Sequence, residues 1–303
     1  MTIMTAFQQK ISELLPHIEL RLEESLAKHT SFRIGGPAEV MAFPKTGGEL
    51  CEILKTSALL DCKPVILGAG TNILAPDTGV RGLVICLRNC EETMEQTDAG
   101  HIRVSAGVSM AKMATYAANL GLSGLEFAHG IPGSVGGGVY MNAGAYGGEI
   151  CQVCTEVEVV DTDGNSRVLT GEEMAFSYRH SRLEDEDSIV LRATFALTPK
   201  PVEEIRGLMQ DLMTRRRSSQ PLDLPSAGSA FKRPVGGYAA ALIEESGLKG
   251  YRIGGAAVSE KHAGFVVNLG GATAENVKQL LHYVSKKVFE NTGILMEPEI
   301  RIW

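Results

Sequence analysis

The stretch SAGSAFKRP (226–234) puts a hydroxyl, Ser229, on a glycine-containing loop close to Lys232. A serine there is either a nucleophile or a turn or helix-cap residue. Its neighbours do not form a G-x-S-x-G elbow and no histidine lies nearby, so a serine hydrolase is disfavoured and the turn is the plainer reading. A second pattern closes the chain. ILMEPEIRIW alternates like a strand, and a period of two sets Glu297, Glu299 and Arg301 on one face, with Ile300 and Ile302 on the other. A third pattern, C-x-x-C at Cys151 and Cys154, has no matching second pair at zinc-site spacing. It reads as packing cysteines, and no metal is expected.

Glycine density marks two further stretches. GAGTN (68–72) follows an apolar strand-like run, and GIPGSVGGG (130–138) is followed by NAGAYGG (142–148). Glycines let backbone N–H groups approach an anion closely, and Thr71 and Asn72 add donors. So dense a run reads as a shaped loop, neither helix nor strand. Neither stretch continues as G-K-[ST], and neither is a G-x-G-x-x-G leading into a helix with a downstream acid. The residues alone point to a nucleotide or dinucleotide held by two glycine loops, with structural turns as the alternative.

The elements that must hold these groups follow from periodicity. FQQKISELLPHIELRLEESLAKHT reads as a short amphipathic helix and a lead-in. Thr46 and Glu49 stand at capping-box spacing before a helix carrying Leu50, Ile53 and Leu54. PVIL, GLVICL and HIRVSAG read as strands, and SMAKMATYAANLG as a helix capped by Ser109 and stopped at Gly121. CTEVEVVDTDGNSRVL is a hairpin turning at Asp163-Gly164, and SIVLRATFAL is another strand. After Pro199 and Pro201 an amphipathic helix begins, which puts a boundary near 198–201. GFVVNLG is a strand, and the following helix shows one face of Val277, Leu280, Leu281, Val284 and Val288.

The chain has 303 residues, 44% of them hydrophobic, enough for two or three packed domains. A net charge of -7 argues against a nucleic-acid binder, since phosphate backbones are held by Lys and Arg. No apolar run approaches the ~20 residues of a membrane span. No basic region followed by an apolar stretch opens the chain, so no signal peptide is expected. The six cysteines are expected to be reduced.

Seven motifs occur in an order that resembles one family. They are HTSFRIGGPAE (29–39), LGAGTNIL (67–74), GIPGSVGGG with MNAGAYGGE, SYRHS (177–181), SAGSAFKRP, KHAGFVVN (261–268) and EPEIR (297–301). The set is similar to the UDP-N-acetylenolpyruvoylglucosamine reductase family, in its shorter branch, from about residue 25 to the end. The resemblance implies an α+β fold: a two-part FAD-binding domain of the PCMH/vanillyl-alcohol-oxidase type, then a smaller α/β substrate-binding domain. It implies a helical lead-in over 1–24, an FAD-binding domain over 25–198 divided near 83, and a substrate domain over 199–303.

The resemblance further implies NADPH-dependent, FAD-mediated reduction of UDP-N-acetylglucosamine enolpyruvate to UDP-N-acetylmuramate, a step of peptidoglycan precursor synthesis. Ser229 matches the family's proton donor, Arg179 its active-site arginine and Glu299 its catalytic glutamate. Glu299 is expected to be neutral or held by an arginine, because an ionised carboxylate would repel an enolate. Glu297 competes for that role. The implied contacts of a non-covalent FAD are Arg33, Ile34, Gly35, Gly68, Ala69, Gly70, Thr71, Asn72, Gly130, Pro132, Gly133, Ser134, Gly136, Gly137, Asn142, Ala143 and Gly144. Lys232, Lys261 and His262 are candidate substrate contacts, and His129 is a packing or surface histidine. In the family's pattern Gly138 replaces a common alanine, and Arg233 stands where asparagine also occurs. A cytoplasmic monomer is expected, with no nucleic-acid or membrane partner. The rivals are another flavin enzyme of the same cofactor fold and a non-enzymatic flavin carrier.

Overall fold

A computed structural model describes residues 4–303. Helices α1 (Ala6–Leu14), α2 (Gly47–Leu59), α3 (Met110–Asn119), α4 (Val135–Tyr140), α5 (Val202–Ser219), α6 (Ala239–Glu245) and α7 (Ala274–Thr292) alternate with short strands. The fold is α+β. Threonine and serine caps start α1, α2, α3 and α7, where Thr5, Thr46, Ser109 and Thr273 accept from amides of the first turn. Gly293, at φ 72, ends α7 in the left-handed conformation that glycine adopts without steric cost.

The chain forms two compact units, and neither is a continuous segment. Among the described residues the first comprises 4–23, 39–69 and 81–214; the second comprises 24–38, 70–80 and 215–303. In the first unit an antiparallel five-stranded sheet runs Ser166–Thr170, Cys154–Val160, Ile189–Ala196, His101–Ser105, Met94–Asp98. It packs with α3 and α4 around Ile102, Val104, Met113, Val157 and Phe195. A second core of this unit gathers Ile11, Val40, Leu50, Ile53, Leu54 and Ile85. That core includes two strands of a four-stranded sheet ordered Glu19–Ser25, Pro37–Phe43, Val80–Cys86, Val65–Leu67.

In the second unit, Ser226–Ser229, Phe265–Asn268, Ala256–Val258 and Arg252–Ile253 form an antiparallel sheet. The buried face of α7, Val277, Leu280, Leu281, Val284 and Val288, joins Phe32, Ile34, Leu74 and Phe231 in one core. Ile73–Leu74 pairs in parallel with Arg301–Ile302.

Four expectations change. The lead-in contains the strand Glu19–Ser25 as well as a helix. Leu83 lies inside the strand Val80–Cys86, so the passage between the two sheets of the first unit comes after Cys86. The switch between units falls between Thr214 and Arg215, inside α5, because helix continuity does not depend on which core each turn packs against. The C-terminal stretch is a strand only over Arg301–Ile302. Pro298 has no amide to donate to a ladder, and Ile300 is buried while Ile302 is exposed.

Candidate active site

In the first unit, Gly68 and Ala69 follow the strand Val65–Leu67. A Cβ on Gly68 would lie 2.9 Å from Ser134 Oγ, so the first glycine turn closes onto the start of α4. Arg88 Nη2 donates to the Ala69 carbonyl at 2.9 Å. Gly130, Pro132 and Gly133 form the approach to Ser134, which caps α4 by accepting from the Gly137 amide. The run 130–138 is therefore part loop and part helix. Its glycines serve close packing: a Cβ on Gly136 would come 2.8 Å from Ala106 Cβ, and one on Gly138 would come 2.7 Å from Met110 Sδ. His129 Nδ1 is buried and has no hydrogen-bond partner.

Asn142 and Arg179 belong to one hydrogen-bonded group in the same unit. Asn142, 1% exposed, has a left-handed backbone at φ 43. Its amide group donates to Glu149 Oε2 at 3.1 Å and to the Ser177 carbonyl at 2.9 Å, and its Oδ1 accepts from the Cys151 amide at 2.9 Å. That side chain is committed inside the protein. Ala143 and Gly144 follow, and the Gly144 carbonyl accepts from Arg179 Nη2 at 3.0 Å. Arg179 sits in a turn closed by reciprocal Ser177 and His180 backbone bonds, with its guanidinium 4.9 Å from the Tyr178 ring centroid. Its own φ is 56, a region costly for a side chain with a Cβ.

In the second unit, Arg33 is exposed at φ 56 and Ile34 is buried in the core with Leu74. Gly35, at φ 135, lies where a Cβ would come 2.8 Å from Ala75 Cβ and Leu26 Cβ. Gly70, at φ 68, has its carbonyl accepting from the Ser31 amide at 2.9 Å, and a Cβ there would overlap the His29 carbonyl oxygen. Thr71 and Asn72 continue the turn. Asn72 Nδ2 donates to the Glu299 carbonyl at 3.2 Å, and the Asn72 carbonyl accepts from the Arg301 amide at 2.9 Å.

Ser229 ends its strand opposite Phe265, exposed, after a bulge in which Gly228 takes φ 79. The next residue, Ala230, accepts at its carbonyl from the Glu299 amide at 2.9 Å. Ser229 and Glu299 are thus carried on adjoining segments. Glu297 is different. Its side chain is 70% exposed and pairs with Lys232 Nζ at 2.6 Å. Lys261 Nζ donates to the Arg217 carbonyl at 2.6 Å. Burial pushes the His262 imidazole below its usual range, and its Nδ1 accepts from the Gly264 amide, leaving Nε2 as the protonated nitrogen.

The sequence reading missed the residues that hold the Arg179 turn: Ser177, Ser181 and Glu149. Two of them lie inside SYRHS, but no spacing pattern connects that motif with residues 140–149. It also missed Asp77, whose carboxylate oxygens cap α7 at the Ala274 and Glu275 amides, 2.8 and 3.1 Å away. Among the described residues no group of three metal-ligating side chains occurs, and no helix is long and apolar enough to cross a membrane.

Residues 38–170 match the family of FAD binding domains, and residues 220–303 match the UDP-N-acetylenolpyruvoylglucosamine reductase C-terminal domain. The chain is 46% identical to the UDP-N-acetylenolpyruvoylglucosamine reductase of Caldanaerobacter subterraneus subsp. tengcongensis, over 97% of this chain and 96% of that protein. It is 44% identical to the protein of the same name from Agathobacter rectalis, over 98% of both chains. Its fold is similar to the crystal structure of the UDP-N-acetylenolpyruvylglucosamine reductase from Thermus caldophilus, with a TM-score of 0.78, 36% identity, and 95% and 99% of the two chains covered.

The cofactor is FAD. The residues of the first unit fit it. The buried, partnerless His129 Nδ1 lies at the entrance of the second glycine loop, where a ligand can complete its hydrogen bonding. Gly137 is exposed, and a Cβ there would meet nothing closer than Ser134 Oγ at 3.5 Å, so its backbone is open to close approach.

Proposed function

This chain belongs to the UDP-N-acetylenolpyruvoylglucosamine reductase family, and on that premise we propose that it reduces the enolpyruvyl group of UDP-N-acetylglucosamine enolpyruvate to the lactyl ether of UDP-N-acetylmuramate, with NADPH as electron source. The setting is peptidoglycan precursor synthesis, carried out in the cytoplasm by a single chain. Residues 25–198 supply most of the cofactor contacts together with Arg179, and residues 215–303 supply the other substrate contacts. The enzyme is an FAD-dependent oxidoreductase.

FAD held by the two glycine loops would supply hydride transfer, from NADPH to the terminal vinyl carbon of the substrate. The protein's residues manage the charge that results. Electron density collects on the neighbouring carbon and spreads into the carboxylate. Arg179 holds that carboxylate through two parallel N–H donors and stabilises the growing charge. Ser229 gives its hydroxyl proton to the carbon. A weak acid suffices because the carbon is strongly basic, and no histidine is required because the serine acts as an acid. Glu299 acts in its protonated form, since a second negative charge would oppose the first. Water restores the exposed Ser229 hydroxyl. Lys232 is not needed for this, its ammonium being held by Glu297. Lys261 and His262 contact the diphosphate or sugar.

The observation that carries this reading is the 2.9 Å bond from the Glu299 amide to the Ala230 carbonyl, which keeps the two candidate acids on adjoining segments. The test is a pair of anaerobic half-reactions. NADPH should bleach the bound flavin, and UDP-N-acetylglucosamine enolpyruvate should restore its colour. Failure of that substrate to restore the colour would leave the protein as a flavin carrier or a different flavin enzyme.

A further inference from the structure

Resting on the reading of Arg179 just given, we infer that Asn142 and Ser181 are positioning residues that hold the Arg179 turn in its productive conformation. The turn itself is disfavoured. Arg179 takes a left-handed backbone at the third position of a four-residue turn, Ser177–His180, where glycine or asparagine is usual. Such a conformation is sterically unfavourable for a residue with a Cβ and persists only where surrounding contacts over-determine it. Three contacts come from one short segment. Asn142 Nδ2 donates to the Ser177 carbonyl at 2.9 Å, Arg179 Nη2 donates to the Gly144 carbonyl at 3.0 Å, and Ser181 Oγ donates to the Tyr140 carbonyl at 2.7 Å.

The segment that provides these tethers is itself held firmly. Asn142 and Ser181 are 1% and 0% exposed, so their donor groups are shielded from water. Asn142 is oriented from both sides, by Glu149 Oε2 and by the Cys151 amide. Glu149 is fixed in turn by pairing opposite Gly144, and a Cβ on Gly144 would press against Glu149 Cγ at 2.6 Å. The tethers bracket Arg179, one at the residue two before it and one at the residue two after. A guanidinium that must meet a carboxylate in a fixed fork geometry gains from such bracketing, because small displacements cost orders of magnitude in rate.

The test uses flavin-loaded protein and two variants of the tethers, with Arg179→Ala as the reference. Asn142→Asp combined with Glu149→Gln keeps a hydrogen bond between these two positions but removes the donor to Ser177. Ser181→Ala removes the other tether and changes nothing else in size beyond one oxygen. Rates are referred to bound flavin, read from its visible absorbance. The readout is the rate of the substrate-dependent step divided by that of the NADPH-dependent step. This ratio should fall roughly ten- to a hundred-fold in each variant. Trypsin should cleave after Arg179 faster in both. If the double variant does not fold, Ser181→Ala alone decides. An unchanged ratio in the variants, with a lowered ratio in Arg179→Ala, overturns the positioning role alone. An unchanged ratio in Arg179→Ala overturns the role of Arg179 itself, and the inference with it.

Discussion

The backbone amide of Glu299 donates to the carbonyl of Ala230 at 2.9 Å, while the Glu297 carbonyl accepts from the Lys232 amide at 2.8 Å. Two carboxylates two residues apart are thereby fixed to the same partner segment, yet their surroundings differ. Glu297 reaches outward to an exposed ion pair; Glu299 is half-buried. Glu297→Gln should therefore keep the substrate-dependent half-reaction within about twofold and cost at most ~1 kcal/mol of stability, as exposed ion pairs do. Glu299→Gln should slow the same step by about a hundred-fold or more. Stopped-flow absorbance of the flavin separates the two, and the reverse ranking would mean that the catalytic carboxylate is Glu297.

Ser229→Ala is expected to fold normally, because the side chain is exposed at a strand end. The NADPH-dependent bleaching should survive and the substrate-dependent recolouring should fall by about 10²–10⁴-fold, the range for a lost general acid. Equal losses in both steps would assign the serine to structure or cofactor binding.

Arg179→Asn separates the strain of the turn from its chemistry. Asparagine enters the left-handed region far more readily than arginine, so thermal stability should stay within about 1 kcal/mol of the parent despite the lost bond to Gly144. The substrate-dependent step should nonetheless collapse. A large loss of stability would show that the arginine holds the turn rather than the reverse.

Burial pushes the Cys154 thiol up to about 12, and burial also raises Cys151. Both should alkylate slowly at pH 8, and Cys154 should be modified only after denaturation, as peptide mass spectrometry would detect. The sign for stability follows from proton binding. Between about pH 9 and 12 the folded state holds the Cys154 proton more tightly than the unfolded state does. That contribution is complete below about pH 9 and is lost as the pH rises towards about 12. Cys154→Ala should flatten the decline of the urea midpoint over this window.

Gly70 and Gly147 both have positive φ, 68 and 87, but only Gly70 faces a backbone oxygen at overlap distance; around Gly147 nothing lies within 4 Å. Gly147→Ala should cost about 1 kcal/mol, the conformational penalty alone. Gly70→Ala should cost several kcal/mol, because the clash is with the His29 carbonyl and cannot be relieved by a rotamer change. Thermal midpoints of the two variants test the contrast.

Local patterns in the sequence carried the helices well. The caps at Thr46 and Ser109, the face of α7 and the turn at Asp163-Gly164 all rest on periodicity within a few residues, and each is present. Non-local pairing was less legible. ILMEPEIRIW alternates, but which of its residues form a strand depends on Ile73–Leu74, more than two hundred residues away. The helix inside GIPGSVGGG was hidden by the low helix propensity of glycine, which tertiary packing against Ala106 and Met110 overrides. The motifs of the site were readable because each is short and contiguous. The tethers between Tyr140, Asn142, Ser177 and Ser181 join two motifs that no spacing rule links.

The second unit draws Phe32, Ile34 and Leu74 into a core whose other members lie beyond Arg215. On the ribosome these early apolar residues emerge long before their partners. At about 5–20 residues per second, the stretch from Arg215 to the C-terminus takes roughly 4–18 s to be made, and for that time the segments around Phe32 and Leu74 have no core to enter. A nascent chain stalled near Thr214 would present them to chaperones, and a fragment cut there would carry them as permanently unburied surface.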